Sequence, residues 1–202
     1  MTELVGVVLA AGLGTRFEDG NKLLATVEDE PIVRRAVRSL ADASLDRTVA
    51  IVGNDASVVR DAVEPHVDET LKNDKYELGQ SRSVRLGARY AREAGADAAV
   101  FLPGDMPCVD PETVRRLGTA YRDGGADILV PTHDGQRGNP VLFDAVHFDD
   151  LTSLSGDVGG RSLFAEGTVR RVSVDDPGIH LDVNTEADLR SARQSDCGVG
   201  RS

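Results

Sequence analysis

The run from Val5 to Ala11 constrains this chain more than any other stretch. Val5-Gly6-Val7-Val8-Leu9-Ala10-Ala11 is apolar throughout and passes directly into Gly12, Leu13 and Gly14. An apolar run without polar alternation suits a strand buried on both faces, as in a parallel sheet covered by helices. The carboxyl edge of such a sheet is where open α/β folds bind ligands. Small residues there let backbone N–H groups approach a bulky anion, and Thr15, Arg16 and Lys22 add a hydroxyl and two cations. The stretch reads as a phosphate-binding loop. It is not a P-loop, because no Lys-Ser or Lys-Thr pair follows the glycines. Nor does it fit the dinucleotide fingerprint, whose third small position is filled by Phe17.

The following residues repeat the strand-loop-helix pattern. Pro31 stands at a helix start, with Ile32, Val33, Ala36, Val37 and Leu40 at helical spacing. Thr48 to Val52 is a second apolar run, and Asp55 is placed to cap the helix of Val58, Val59, Ala62 and Val63. This βαβα order predicts a parallel, right-handed sheet. Val67 to Leu71 suggests a third strand. After it, Asn73, Gly79 and Ser81 precede a helix through Val84 and Ala91, whose amino end is free for an anion or a base. Asp97 to Leu102 is a further strand ending in Pro103-Gly104-Asp105-Met106-Pro107, so Asp105 falls on the same sheet edge as the glycine loop. One or two carboxylates beside a phosphate suffice for Mg²⁺. Asp110-Pro111 supplies cap and first turn for another helix. Strands are expected at 128–131, 138–143, 169–174 and 179–183, and Asn184-Thr185 caps a terminal helix. The four histidines, His66, His133, His147 and His180, are scattered without ligand spacing.

At 202 residues the chain suits one domain, placed at residues 1–194, with 195–202 as a flexible polar tail. Cys108 and Cys197 lie far apart in sequence, the second in that tail. They predict neither a disulfide nor a metal site, and with no charged and apolar leader the expectation is a cytoplasmic, reducing location. The formal charge of −11 disfavours nucleic acid and anionic membranes as partners. Only Lys22, Lys72 and Lys75 are lysines, while aspartate is abundant. This suits a halophilic protein, since a screening length of about 3 Å at 1 M salt removes most self-repulsion.

Taken together, the motifs resemble those of the molybdenum cofactor cytidylyltransferase family, related to the guanylyltransferases of the same cofactor. Leu9, Ala10, Ala11, Gly12, Gly14, Arg16, Phe17 and Lys22 match its L-A-A-G-x-G/S-x-R-[FM]-…-K signature. Asn73, Tyr76, Gly79, Ser81, Ser83, Val84 and Gly87 fit its N-x-x-[WY]-x-x-G-x-S-x-S-[LV]-x-x-G block. Gly104-Asp105-Met106-Pro107, Arg137-Gly138-Asn139-Pro140, Leu154-Ser155-Gly156-Asp157-Val158-Gly159-Gly160-Arg161 and Asp182-Val183-Asn184-Thr185 through Leu189 continue the resemblance in order. The resemblance implies a three-layer, Rossmann-like α/β nucleotidyltransferase domain with a mostly parallel sheet. It also implies transfer of CMP from CTP to the terminal phosphate of a pterin cofactor acceptor, with pyrophosphate released. Ala10-Ala11-Gly12 favours CTP, because the related guanylyltransferases usually carry Ala-Gly-Gly. The implied roles are Mg²⁺ at Asp105 and Asp182 and catalysis by Arg16, Lys22 and Asp105. Nucleotide contacts fall to Leu9, Ala10, Ala11, Gly12, Gly14, Thr15, Arg16, Lys22, Asn73, Gly79 and Ser81. Gly156 and Asp157 dock the acceptor, and a recipient molybdoenzyme is the downstream partner. Asn184 stands where aspartate is more frequent, which weakens its claim as a ligand. A related transferase using GTP or another acceptor, and an NAD(P)-dependent oxidoreductase, are the competing readings.

Overall fold

The computed structural model describes residues 2–12, 20–156, 159–195 and 197. In chain order its elements are β1 (Leu4–Ala10), the small hairpin β2 (Thr26–Val27) and β3 (Glu30–Pro31), α1 (Ile32–Ala41), β4 (Arg47–Val52) and α2 (Ala56–Val63). There follow β5 (Glu69–Lys72), α3 (Ser81–Glu93), β6 (Ala98–Pro103), α4 (Pro111–Arg122), β7 (Ile128–His133), β8 (Gln136–Arg137), β9 (Val141–Asp144), α5 (Phe148–Ser153), β10 (Val169–Ser173) and α6 (Glu186–Gln194).

The main sheet runs β10-β7-β9-β6-β1-β4-β5, with β8 paired to β7. The strand singled out by its composition lies inside it: β1 pairs in parallel with β4 on one side and β6 on the other. β4 and β5, and likewise β7 and β10, are also parallel. The β7–β8 hairpin reverses the chain, and β9 then enters between β6 and β7, antiparallel to both. Alternate side chains of β1 serve two cores. Leu4, Val8 and Ala10 pack with α1, α2 and α4 residues such as Val37, Leu40, Val63 and Leu117. Val5 and Val7 pack with Val84, Ala88, Phe148 and Leu151 of α3 and α5. Both faces are covered, which makes three layers. Continuous hydrophobicity is therefore the correct code for this strand.

Several local expectations are corrected. Residues 179–183 do not form a strand. Asp176-Pro177-Gly178 is turn chemistry: the Asp176 carboxylate accepts from Gly178 N at 2.9 Å, Pro177–His180 makes one 3₁₀ turn, and the chain continues irregularly to Asn184. Asp176 also accepts from Asp110 N at 3.0 Å and Thr113 Oγ1 at 2.7 Å, so one buried carboxylate ties this turn to α4. Asp55 precedes α2 but makes no capping bond. It has φ of 48°, and its carboxylate accepts from Asn21 Nδ2 at 3.1 Å. Gly160–Ala165, which begins at the end of the Leu154–Arg161 motif, forms a 3₁₀ helix. Cys108 and Cys197, expected to be unpaired thiols, form a disulfide with Cα atoms 4.3 Å apart. Sequence distance hid this pairing, because α6 folds the chain end back onto the loop after β6. Both cysteines are buried in a small satellite core with Val183 and Leu189. No helix of the described residues is long and apolar enough to cross a membrane.

Candidate active site

The carboxyl ends of β1, β4 and β6 meet where the glycine loop begins. Ala11 is buried and Gly12 exposed, so the chain surfaces between them. Gly104, just past β6, donates its N–H to Leu9 O at 2.9 Å and binds the two strand ends together. Gly53, just past β4, lies so close to Ala11 and Tyr76 that a Cβ there would sit 2.7 to 2.9 Å from their atoms. Glycine is required because Ala11 and Tyr76 converge on this one point. Gly14, Thr15 and Arg16 lie outside the described residues, as does Asp157.

Lys22 returns to the same edge on a single 3₁₀ turn, Lys22–Leu24. Asn21 caps that turn by accepting from Leu23 N at 3.0 Å, and Leu23 is buried against the core. The result is a lysine on a short, fixed base. Its Nζ donates to Asp105 Oδ2 at 2.7 Å and to Asn184 Oδ1 at 2.9 Å, and the side chain is only 12% exposed. The Asn184 amide nitrogen in turn donates to Asp182 Oδ2. Lys22, Asp105 and Asn184 thus form one cluster, with Asp182 joined to it through Asn184. Sequence reasoning had set Asn184 aside. An amide both accepts from an ammonium and donates to a carboxylate, which an aspartate cannot do when ionised. Nothing in the local sequence shows that Lys22 lies within reach.

The segment holding Asn184 is anchored from both sides. Val183 N donates to Asp105 O at 2.9 Å. Downstream, Thr185 and Asp188 form a capping box at the start of α6, and the Asp188 carboxylate accepts from Asn184 N at 3.1 Å. These bonds hold the Asp188 carboxyl below the usual aspartate range, the Thr185 side-chain bond foremost, with a smaller contribution from the Lys22 charge.

Asn73 is placed differently from its sequence expectation as a nucleotide contact. It is buried, donates to Ser83 Oγ at 3.0 Å and accepts from Lys75 N at 3.0 Å. Its side chain therefore fixes the loop before α3. Gly79 adopts φ of 101°, in the left-handed range that favours glycine, where the chain turns into α3. Ser81, the first residue of α3, is fully buried with its hydroxyl unpartnered among the described residues. Gly156, also at positive φ, is exposed, with open space where a Cβ would be.

A cavity of about 280 Å³ is lined by Leu9, Gln80, Pro103, Asn139, Phe143 and Arg161 among others, with Pro103 standing two residues before Asp105. Its floor is apolar and its rim polar. Leu9, Gln80, Pro103, Asn139 and Arg161 come from or flank successive sequence motifs, which the fold brings around one opening. Arg137 does not line it; its guanidinium lies 5.3 Å from the centre of the Phe164 ring.

The model of the MobA-like NTP transferase domain matches residues 6–172. The chain belongs to this family. The chain thus carries an NTP transferase domain, which weighs against the oxidoreductase alternative. Among solved structures, Rv0371c from Mycobacterium tuberculosis H37Rv is 29% identical, with a TM-score of 0.83 over 96% of this chain and 99% of that one. The same mycobacterial protein in complex with manganese gives 0.79 at 29% identity, covering 96% of this chain and 100% of that one. Molybdopterin-guanine dinucleotide biosynthesis protein A from Archaeoglobus fulgidus, at 18% identity and a TM-score of 0.71 over 94% and 97% of the two chains, shares the fold. The bifunctional protein GlmU of Bordetella petrii is 33% identical over 134 residues, 65% of this chain and 29% of its own length. The chain thus spans about 29% of the length of that curated relative.

Proposed function

We propose that this nucleotidyltransferase moves CMP from CTP to the terminal phosphate of a molybdopterin cofactor, releasing pyrophosphate, with Mg²⁺ as its metal. The product would pass to a recipient molybdoenzyme. The observation that carries the reading is convergence: one cavity takes wall residues from the successive motifs, among them Pro103, two positions before the Asp105 that pairs with Lys22. CTP and the pterin are supported by the motif resemblance, with Ala10-Ala11-Gly12 at the loop entrance favouring cytidine.

A phosphate acceptor is ionised at neutral pH, so its oxygen attacks the α-phosphorus without a general base. The task left to the protein is to hold two anions together and to offset charge growing on the leaving pyrophosphate. Lys22 suits that task. Two of its three N–H donors are engaged by Asp105 and Asn184 among the described residues, and its fixed base keeps the ammonium at the sheet edge. Backbone at Ala10, Ala11 and Gly12, with Gly14, Thr15 and Arg16, is assigned to the triphosphate. Gly79 and Ser81 are assigned to the nucleoside, and Gly156 with Asp157 to the acceptor.

Asp105 passes a test for a cation. Its Oδ2 already pairs with the Lys22 ammonium at 2.7 Å, while Oδ1 is buried and without a hydrogen-bond partner among the described residues, an unmet acceptor that a cation fits. Asp105 would hold Mg²⁺, with Asp182 as the second carboxylate. When bound, the ion supplies positive charge to phosphate oxygens.

Thermal shift with CTP, GTP, ATP and NADPH, each with and without Mg²⁺, tests this reading. Selective, magnesium-dependent stabilisation by CTP is expected, followed by pyrophosphate release once the pterin acceptor is added. Preference for GTP would retain the mechanism with a different product. Stabilisation by NADPH alone, without metal, would overturn it.

A further inference from the structure

The satellite core holding Cys108, Val183, Leu189 and Cys197 touches the candidate metal edge through covalent neighbours. Cys108 stands three residues beyond Asp105 in the chain. Val183 lies between Asp182 and Asn184 and donates its N–H to Asp105 O at 2.9 Å. The disulfide joining residues 89 apart therefore closes a ring through the segments carrying Asp105, Asp182 and Asn184. Arg35 of α1 binds the same segments by carbonyl contacts: Nη2 donates to Cys197 O, and Nε to Pro107 O at 3.4 Å.

Both cysteines are nearly fully buried, and a cavity touches one of them. This second cavity, of about 290 Å³, is lined by Glu28, Glu30, Arg35, Arg38, Pro107 and Cys197, and Cys108 is not part of its wall. Glu28 and Arg38 are half exposed, so the cavity reaches solvent.

We propose that Cys108–Cys197 is a thiol-exchange site for a low-molecular-weight dithiol, and that its redox state sets how firmly the Asp105 and Asp182–Asn184 segments are held. One dithiol sulfur, as thiolate, attacks Cys197 Sγ from the cavity. The disulfide bond breaks, and its electron pair leaves on Cys108 Sγ, which takes up a proton. The second dithiol sulfur then attacks the mixed disulfide. Cys197 leaves as a thiol and the reagent as a cyclic disulfide, so two electrons pass from reagent to protein. Without the crosslink, the hold on α6 and Cys197 falls to Arg35, the bond from Arg193 Nε to Thr26 O at 3.0 Å and the satellite core.

The inference rests on the metal-edge reading only for its effect on cation binding, so the test has two separate readouts. Wild-type protein and the Cys197→Ser and Cys197→Ala variants are compared with and without dithiothreitol. Unreduced wild type, alkylated in denaturant, should show no reactive thiol. Reduction should lower its melting temperature by roughly 5–15 °C, to that of the variants, which should not respond to the reagent. Hydrogen exchange should quicken at residues 105–109 and 181–185, and Mn²⁺ should bind several-fold more weakly. Trapping with a monothiol should place the adduct on Cys197. Two alkylated cysteines in unreduced protein, or unchanged exchange in both segments on reduction, would overturn the proposal. Absence of Mn²⁺ binding in the oxidised protein would instead count against the metal assignment, leaving the exchange result to decide the redox inference.

Discussion

The two halves of the candidate site differ in kind. The Lys22 crevice is made of charges on short, fixed bases: an ammonium, a carboxylate and an amide within hydrogen-bond distance, partly withdrawn from solvent. The cavity is a shaped space with an apolar floor of Leu9, Val84 and Phe143 and a rim of Asn139, Gln80 and Arg161. Under the proposed function, the first arrangement is the part that handles charge and the second the part that discriminates shape.

Substitutions should separate these tasks. The largest effect is expected in the crevice. Lys22→Ala or Asp105→Asn should lower kcat by roughly a hundredfold or more while the melting temperature in the absence of ligand stays within a few degrees. Steady-state kinetics alongside circular dichroism would check this, and full activity in either variant would remove the proposed role. On the cavity side, Arg161 ends the Leu154–Arg161 motif whose Gly156 and Asp157 are assigned to the acceptor, so Arg161→Ala should raise the acceptor KM by roughly tenfold, the scale of one hydrogen bond to a charged group, and leave the KM for the triphosphate unchanged. Equal changes in both constants would erase the distinction. Gly53→Val lies at the boundary. Its branched side chain would meet Ala11 and Tyr76, costing about 1–3 kcal/mol of stability and weakening triphosphate binding, measurable by denaturant titration and calorimetry.

The smallest effects are in pH dependence, where the α6 cap that anchors the crevice and the α4 tyrosine away from it should move in opposite directions. Asp188 has a depressed pKa, so its capping contribution is complete above the ordinary aspartate value of 3.8 and is lost as pH falls through the lower folded value. Asp188 is only partly buried and the loss correspondingly modest, but it should disappear in Asp188→Asn. Tyr121 shows the reverse case. Burial first, then its hydrogen bond to Asp144 and the charges of Asp144 and Asp97, raise its pKa well above the ordinary value of 10.0. Its contribution is present below pH 10 and should be lost as alkali ionises the phenol. Tyr121→Phe should flatten the alkaline limb of a stability–pH profile without altering the acid limb.

How much of this was legible beforehand varied with the range of the interaction. The parallel βαβ start, the Asp110-Pro111 helix entry and the capping of α6 by Thr185 depend on a few neighbouring residues, and each formed as its sequence dictates. The 179–183 segment misled because its apolar residues look strand-like, whereas Asp176 and Pro177 upstream had already set a turn. Asn73 was legible as important, but its role as a buried brace came from contact with Ser83 and Lys75.

The sequence by itself determined which strand is central, which sheet edge carries the candidate site and which residue types gather there, because hydrophobic pattern, glycine and proline act over one or two turns of chain. Only the tertiary structure decided that Lys22 meets Asn184 as well as Asp105, that scattered motifs share one cavity, and that Cys108 and Cys197 are bonded. Those outcomes depend on segments up to 162 positions apart being brought together by sheet order and helix packing, and no local pattern encodes such a distance.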